Sequence, residues 1–201
     1  MRVEELGIEG VFTFTPQTFA DERGVFGTAY QEDVFVAALG RPLFPVAQVS
    51  TTRSRRGVVR GVHFTTMPGS MAKYVYCARG RAMDFAVDIR PGSPTFGRAE
   101  PVELSAESMV GLYLPVGMGH LFVSLEDDTT LVYLMSAGYV PDKERAVHPL
   151  DPELALPIPA DLDLVMSERD RVAPTLREAR DQGILPDYAA CRAAAHRVVR
   201  T

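Results

Sequence analysis

Apolar and polar residues alternate in many short segments between about residues 10 and 140, which is typical of β-strands. In the segment AMDFAVDI (82–89) the odd-numbered positions are apolar, whereas Asp84 and Asp88 fall on the opposite face, so this segment is predicted to be a half-buried strand. The segment TLVYLM (130–135) is apolar on both faces and predicts a more central strand.

Turn sequences separate these strand segments. They are rich in Gly, Pro, Asp and Ser, which favour tight turns, and they occur as DERG (21–24), PGS (68–70 and 91–93) and EDD (126–128). Many short strands divided in this way predict a β-sandwich or β-barrel.

Helices are predicted at three places. Residues 31–39 carry acidic residues near their start and are followed by a glycine placed to cap a helix end. Thr175 and Glu178 have the spacing of a capping box, and Gly183 is placed to stop the helix that they begin. The Ala-rich segment 187–199 predicts a closing helix.

Length and composition indicate one globular domain. The chain has 201 residues, of which 46% are hydrophobic and 23% charged, as in ordinary soluble proteins. No internal repeat, linker or low-complexity tract interrupts it. We therefore expect a single domain over residues 1–201, with a β core at about 10–140 and a helical C-terminal segment at about 165–200.

Charge and cysteine content exclude several classes of function. A formal net charge of −5 argues against nucleic-acid and acidic-membrane partners, which are held mainly by positive charge. The start of the chain is acidic rather than signal-like, and no apolar run reaches membrane-spanning length. Cys77 and Cys191 form no CxxC pair, so no disulfide framework or thiolate metal site is expected. These features predict a cytoplasmic protein.

The segment RGVVRGVHF (56–64) places arginines and His63 in a glycine-interrupted strand pattern. A lone histidine in a strand is more often structural than catalytic. No second histidine stands two residues away on either side of His63, so a metal-ligating pair is not predicted, and no cofactor is expected. Metal-free acid–base chemistry fits this segment better. Only two of the 21 basic residues are lysines, Lys73 and Lys143, and Lys73 lies inside a strand-like run.

Seven segments, in this order, resemble the dTDP-4-dehydrorhamnose 3,5-epimerase family: DERG (21–24), VRGVHF (59–64), AKYV (72–75), VDIRPGSPTFG (87–97), LPVGMGHLF (114–122), YVPDKE (139–144) and SERD (167–170). The match covers about residues 10–175. It implies a mainly β, cupin-like double-stranded β-helix, or jelly roll, with short C-terminal helices. The runs AKYVYCARGRAMD and PDYAAC are similar to the branch that tailors deoxysugars for antibiotics.

The resemblance implies four catalytic residues. His63 corresponds to the base that removes a proton beside the C4 ketone, and Asp170 to the carboxylate that orients it. Lys73 corresponds to the cation facing the developing C4 oxyanion. Tyr133 corresponds to the acid on the opposite face of the sugar. Taken alone, a Lys is usually at the surface and a Tyr in an apolar strand is usually core, so both roles depend on the accompanying motifs.

The resemblance also implies substrate-binding residues. Arg60 and Arg23 correspond to arginines that hold the diphosphate, for which the planar guanidinium is suited. Gln48 corresponds to a polar residue near the phosphates, and His120 to a second active-site histidine.

Two aromatic residues complete the implied binding site. Tyr139 resembles the residue that stacks near the thymine, and Phe19 resembles an aromatic lent by the neighbouring subunit, together with Arg23. The resemblance thus implies a homodimer whose active sites receive residues from both chains.

The chain departs from the family pattern around the sugar pocket. Thr28 stands where the family has an acidic residue, Ser50 replaces an asparagine, and there is no tryptophan. We expect an isomerase that inverts C5, C3 or both in a dTDP-linked 4-keto-6-deoxyhexose. A C3-only monoepimerase, a non-catalytic nucleotide-sugar binding cupin and a metal-dependent cupin are the alternatives.

Overall fold

The computed structural model describes residues 1–197, most of which belong to short antiparallel strands. The strands, in chain order, are β1 (Arg2–Glu5), β2 (Phe12–Thr15), β3 (Thr18–Asp21), β4 (Gly24–Gly27), β5 (Gln48–Ser54), β6 (Val59–Thr65), β7 (Lys73–Arg79), β8 (Arg81–Val87), β9 (Ala99–Ser105), β10 (Gly111–Leu114), β11 (Gly119–Ser124), β12 (Thr129–Met135) and β13 (Glu144–Ala146). The helices are α1 (Glu32–Leu39), α2 (Glu168–Arg171), α3 (Leu176–Asp181) and α4 (Tyr188–Arg197). Strands therefore also occur before residue 10 and after residue 140.

The strands form two main sheets and one separate hairpin. The six-stranded sheet has the order β1-β2-β10-β7-β12-β5, and the five-stranded sheet has the order β13-β6-β11-β8-β9. From β5 onward the chain passes back and forth between the two sheets, except that β8 and β9 follow each other in the five-stranded sheet, and this is the connectivity of a jelly roll. The hairpin β3–β4 pairs with neither sheet. The predicted mainly β, cupin-like jelly roll with short C-terminal helices is confirmed.

The main core fills the space between the two sheets. Val75, Leu112 and Leu131 of the six-stranded sheet belong to one buried cluster with Ala86 and Phe122 of the five-stranded sheet. Interdigitation of side chains from two facing sheets is the usual source of stability in a sandwich. Several of the candidate site residues, among them His120 and Tyr133, line one part of this same interior.

A second core covers the other face of the five-stranded sheet, and it corrects the prediction for residues 82–89. Phe85 and Val87 pack in a cluster with Leu176 and Ala179 of α3. Asp84, on the opposite face of β8, is also completely buried. The segment is therefore buried on both faces, because the C-terminal segment covers the apolar side and the sheet interior encloses the polar side.

The other local predictions agree with the structure. DERG forms the turn between β3 and β4, and TLVYLM lies in β12, between β7 and β5. Helix α1 ends at Gly40, which adopts a left-handed conformation, and α3 begins with the predicted capping box of Thr175 and Glu178. Helix α4 covers most of the predicted closing helix 187–199, of which 198 and 199 lie outside the described residues.

Both cysteines, Cys77 and Cys191, are buried free thiols. Among residues 1–197, no helix is long and apolar enough to cross a membrane.

Candidate active site

An irregularity in β6 explains how Arg60 and His63 reach the same interior. His63 pairs with His120 and Arg60 pairs with Phe122, so three residue steps on β6 match two on β11. An extra residue of this kind is a β-bulge, and it places on one face two side chains that a regular strand would point to opposite faces. Gly61 allows the bulge because its φ is +132° and a Cβ there would collide with the carbonyl oxygen of His120.

His63 forms a hydrogen-bonded pair with Asp170. The distance from Nε2 of His63 to Oδ1 of Asp170 is 2.7 Å, and the His63 side chain keeps 30% of its surface exposed against 2% for Asp170. Among the described residues, Nδ1 of His63 has no hydrogen-bond partner. A carboxylate on one ring nitrogen fixes the tautomer and leaves the other nitrogen to accept a proton.

A short helix presents Asp170 to this histidine. Ser167 caps α2, and its Oγ accepts a hydrogen bond of 3.2 Å from the backbone N–H of Asp170. Burial raises the pKa of Asp170, but the hydrogen bond from His63 and the cap outweigh burial, so its pKa lies below the usual value. Asp170 is therefore a carboxylate at neutral pH.

Tyr133 projects into the interior from the opposite sheet. It lies on β12, is 8% exposed, and its Oη lies 3.4 Å from Oγ1 of Thr52 on β5. Burial raises the pKa of Tyr133 above its usual value, and the Thr52 hydroxyl opposes that rise. The phenol therefore holds its proton at neutral pH, as a proton donor must.

His120 lies between these two groups and has its own carboxylate partner. It is the cross-strand neighbour of His63, and its ring centroid is 5.7 Å from that of Tyr133. Its Nε2 lies 2.8 and 2.9 Å from the two carboxylate oxygens of Asp84. Both partners are buried, with exposures of 5% and 0%. His120 thus links the two sheets within the interior.

Lys73 supplies a positive charge to the same interior. It begins β7 and pairs with Met135, which lies two residues along β12 from Tyr133. The side chains of Lys73 and Tyr133 therefore belong to the same, inner face of the six-stranded sheet. Desolvation lowers the pKa of Lys73, while the charges of Glu144 and Asp84 oppose that effect. An ammonium in such surroundings is suited to an anion that forms during a reaction.

Strand β5 lines the interior with polar side chains. Gln48, Ser50, Thr52 and Ser54 are half-buried or buried, whereas the residues between them are exposed. Gln48 donates a hydrogen bond of 2.9 Å to Ser50 Oγ and accepts one of 2.8 Å from the backbone N–H of Tyr139. Gln48 therefore holds the segment that carries Tyr139, whose side chain is exposed.

A cavity of about 420 Å³ adjoins His63 and carries two arginines, Arg60 and Arg169. Arg60 donates a hydrogen bond of 3.3 Å to Ser54 Oγ, and neither arginine has a carboxylate within 4.0 Å among the described residues. Arginines without carboxylate partners are available to a phosphate. Sequence reasoning missed Arg169, although the SERD motif already placed a basic residue beside Asp170.

A larger cavity of about 590 Å³ lies elsewhere, between α1, α4 and the strands β2 and β10. Its three arginines already have partners: Arg41 donates to Tyr113 Oη at 2.7 Å, Arg90 forms an ion pair with Asp88 at 2.9 Å, and Arg192 lies 3.8 Å from the carboxylate of Glu9. We assign the active site to the interior that adjoins the smaller cavity, because His63, which lines that cavity, is a partly exposed base whose Nδ1 has no hydrogen-bond partner among the described residues.

The structure does not bring Phe19 and Arg23 to this site within one chain. Both lie on the hairpin β3–β4, where Phe19 is 56% exposed and the Arg23 side chain is 90% exposed. Within the described part of the chain, Arg23 pairs only with Asp21 of the same hairpin, at 2.5 Å. The remaining predicted residues lie in the interior or at its mouth; these are Gln48, Arg60, His63, Lys73, His120, Tyr133, Tyr139 and Asp170.

The interior thus offers acid–base chemistry between two facing sheets. One sheet carries a histidine with a free nitrogen, the other a protonated phenol, and Lys73 adds a positive charge beside the phenol. Among the side chains that the structure describes, no three of His, Cys, Asp or Glu are grouped closely enough to hold a metal ion.

Comparison with known proteins agrees with this arrangement. The sequence profile described as dTDP-4-dehydrorhamnose 3,5-epimerase matches residues 5–178. A dTDP-4-dehydrorhamnose 3-epimerase of Streptomyces niveus is 50% identical over 193 residues, covering 96% of this chain and 92% of the relative.

Two crystal structures show the same fold. NovW, a 4-keto-6-deoxy sugar epimerase from the novobiocin cluster of Streptomyces spheroides, is 50% identical with a TM-score of 0.91 and 95% coverage of both chains. ChmJ, a 3'-monoepimerase from Streptomyces bikiniensis solved with dTDP-quinovose, is 45% identical with a TM-score of 0.90, covering 95% of this chain and 96% of its own. The chain belongs to the dTDP-4-dehydrorhamnose 3,5-epimerase family.

Proposed function

We propose that this protein is an isomerase that inverts C3 of a dTDP-linked 4-keto-6-deoxyhexose in antibiotic deoxysugar biosynthesis. The observation that carries the proposal is the placement of the His63–Asp170 pair and the Tyr133 phenol on facing sheets around one interior. Base and acid on opposite sides of a bound sugar are what inversion of a carbon requires.

In the proposed first step, His63 removes the hydrogen from the carbon beside the C4 ketone. The C–H electron pair becomes the enolate double bond, and the C4 oxygen takes the negative charge. Asp170 stabilises the resulting imidazolium. Lys73 stabilises the oxyanion, because an ammonium removed from water interacts strongly with a developing charge.

In the second step, Tyr133 donates its proton to the same carbon from the other face. The enolate collapses to the ketone, the configuration is inverted, and the phenolate regains a proton from solvent as His63 loses its own. No electron leaves the substrate, so the reaction balances without an oxidant or reductant.

The relatives favour C3 as the inverted carbon. The family is described as 3,5-epimerases, the Streptomyces niveus relative is named a 3-epimerase and ChmJ a 3'-monoepimerase, so inversion at C3 is common to all three names. Inversion at C5 as well is tested separately below, because Thr28 and Ser50 depart from the family pattern around the sugar pocket.

The arginines support the choice of a nucleotide diphosphate sugar. Arg60 and Arg169 line the cavity beside His63 and have no carboxylate partner in the described part of the chain. Guanidinium groups bind phosphate oxygens through two parallel hydrogen bonds. We assign the exposed Tyr139 side chain to stacking on the thymine, since an exposed aromatic ring suits that contact.

A homodimer completes the proposal. Phe19, Val25 and Phe26 on the hairpin β3–β4 are more than half exposed, and an apolar group of this kind marks an interaction surface. We assign Phe19 and Arg23 to the active site of the second subunit. We also assign the protein to the cytoplasm, a reducing compartment with which two free cysteines are consistent.

The reaction is tested by incubating the protein with dTDP-4-keto-6-deoxyglucose in D2O and following C3 and C5 by proton NMR. Deuterium at C3 with formation of the C3 epimer is expected. Deuterium and inversion also at C5 would show a 3,5-epimerase. Binding of the substrate without exchange at either carbon would contradict the proposal in favour of a non-catalytic binder.

Metal analysis of the same sample tests the metal-dependent alternative. We expect activity that is unchanged by EDTA. A bound equivalent of iron or zinc whose removal abolishes exchange would overturn the proposed mechanism.

The shared site is tested by mixing two inactive variants, His63→Asn and Arg23→Ala. In a mixed dimer one site keeps its own His63 and receives Arg23 from the other chain, so activity should return. Failure of mixing to restore activity, with exchange of subunits shown by mass spectrometry, would contradict the shared site.

A further inference from the structure

We infer, on the basis of the proposed function, that Thr52 is a positioning residue for Tyr133: its hydroxyl turns the phenol proton toward the sugar and stabilises the phenolate left after transfer. The two residues lie on neighbouring strands, β5 and β12, whose register pairs Thr52 with Leu131 and Tyr133 with Ser50. They are therefore diagonal neighbours on the inner face of the six-stranded sheet.

Thr52 is the hydrogen-bond partner that the structure gives to the phenol. Oγ1 of Thr52 lies 3.4 Å from Oη of Tyr133, and no other side chain that the structure describes is within hydrogen-bond distance of that oxygen. Tyr133 is buried, so a phenolate formed there meets little water.

The direction of this hydrogen bond decides where the phenol proton points. Each hydroxyl has one proton and two lone pairs. When Thr52 donates to Tyr133 Oη, the phenol proton is free to point into the cavity, toward the carbon that receives it. Because Thr is β-branched, its hydroxyl is more restricted than that of Ser, which favours one orientation.

The length of the hydrogen bond fits a role that grows during the reaction. At 3.4 Å it is longer than the 2.5–3.0 Å of ordinary O–H···O bonds, so it contributes little while the phenol is neutral. A charged acceptor shortens and strengthens such bonds, and catalytic hydrogen bonds often tighten only when substrate is bound. An interaction that is stronger in the transition state than in the ground state accelerates the reaction.

The charges around the phenol make this neutral donor more important. The negative charge of Asp84 disfavours a phenolate at Tyr133, whereas Arg60 favours it. Arg60 is the residue to which we assign the diphosphate, so with substrate bound its charge is shared with the phosphates. The hydroxyl of Thr52 then remains as the donor dedicated to the phenolate.

The test uses Thr52→Val, which removes the hydroxyl and keeps the shape. We expect net inversion to fall about 10- to 100-fold, the effect of losing one hydrogen bond to a charged group. Deuterium exchange catalysed from the His63 side should fall less than about threefold, because abstraction does not use the phenol. Thr52→Ser should restore most of the inversion.

Thr51→Val is the matched control. Thr51 is the adjacent residue on β5, carries the same side chain and is exposed on the outer face. Wild-type rates of both exchange and inversion are expected. Thr52→Ala provides a second removal of the hydroxyl if the valine variant folds poorly by circular dichroism.

A double variant shows whether Thr52 acts through Tyr133. In a Tyr133→Phe background, Thr52→Val should cause no further loss of inversion, because the group it serves is gone. Wild-type inversion in Thr52→Val, equal losses of exchange and inversion, or an additive loss in the double variant would each overturn the inference. A wild-type protein that shows no exchange would instead overturn the proposed function.

Discussion

Two histidine–carboxylate pairs lie side by side in this protein, and their difference in exposure separates their roles. His63–Asp170 joins β6 to the C-terminal segment and leaves His63 30% exposed, whereas His120–Asp84 joins two neighbouring strands and leaves His120 only 5% exposed. A base must exchange its proton with substrate and solvent, which the first pair allows. The second pair is enclosed, so we expect its main contribution to be support of the interior and its charge distribution, with His120 still predicted to face the sugar.

The His63–Asp170 pair gives the prediction with the largest expected effect, a loss of catalytic rate. Asp170→Asn keeps the size of the side chain but no longer stabilises an imidazolium or the required tautomer of His63. We expect kcat for inversion to fall about 10²- to 10⁴-fold, with secondary structure unchanged by circular dichroism. A rate within tenfold of wild type would remove Asp170 from the mechanism.

The His120–Asp84 pair predicts a loss of folding stability when its carboxylate is removed. Asp84→Ala leaves the buried His120 ring without its partner, and breaking a buried pair costs about 3–5 kcal/mol in unfolding free energy. The same change at Asp170 should cost less, since His63 can turn to water. Urea denaturation of both variants measures the difference, and a larger loss for Asp170→Ala would reverse our assignment.

Lys73 predicts how the reaction depends on pH. Desolvation lowers its pKa below that of an ordinary lysine, so the active ammonium is lost as pH rises through this lowered pKa. We expect kcat to fall at alkaline pH, at a value below about 10.4. Lys73→Arg, slower but always charged, should lack this alkaline loss.

Lys143 provides the control for this pH dependence. Its Nζ donates a hydrogen bond of 2.9 Å to the Pro68 carbonyl oxygen, and Lys143 is not one of the residues assigned to catalysis or binding. Lys143→Arg should keep the alkaline loss of the wild type. The same alkaline loss in both arginine variants would exclude Lys73 as its cause.

Arg169 predicts the smallest effect, on binding rather than chemistry. Arg169→Gln removes one of the two cations assigned to the diphosphate, so we expect KM to rise about tenfold with kcat changed less than about threefold. Arg177→Gln, an exposed arginine on α3, should leave both constants unchanged. An unchanged KM for Arg169→Gln would show that Arg169 does not bind the diphosphate.

Local patterns in the sequence predicted most of the secondary structure, because they depend on neighbours along the chain. The turn DERG and the capping box of Thr175 and Glu178 both satisfy backbone groups within a few residues. The burial of Asp84 was not predicted, because alternation of apolar and polar residues shows only that the two faces of a strand differ. In the sequence, a polar face that contacts a buried histidine cannot be told from one that contacts water.

Contacts between distant strands could not be read from the sequence. The bulge at Gly61 exists only because β11 lies beside β6, and the hydrogen bond between Thr52 and Tyr133 joins residues 81 positions apart. The four catalytic residues were named from a family resemblance rather than from spacing, and their roles stay predictions. Phe19 and Arg23 lie on an exposed hairpin, and their assigned role depends on the proposed second subunit.

Tyr133→Phe tests most directly whether base and acid act from opposite sides. With dTDP-4-keto-6-deoxyglucose in D2O, proton NMR measures exchange at C3 and formation of the epimer in one sample. The account predicts that exchange continues at close to the wild-type rate while inversion falls at least about 100-fold. Equal losses of exchange and inversion, or inversion at the wild-type rate, would contradict it.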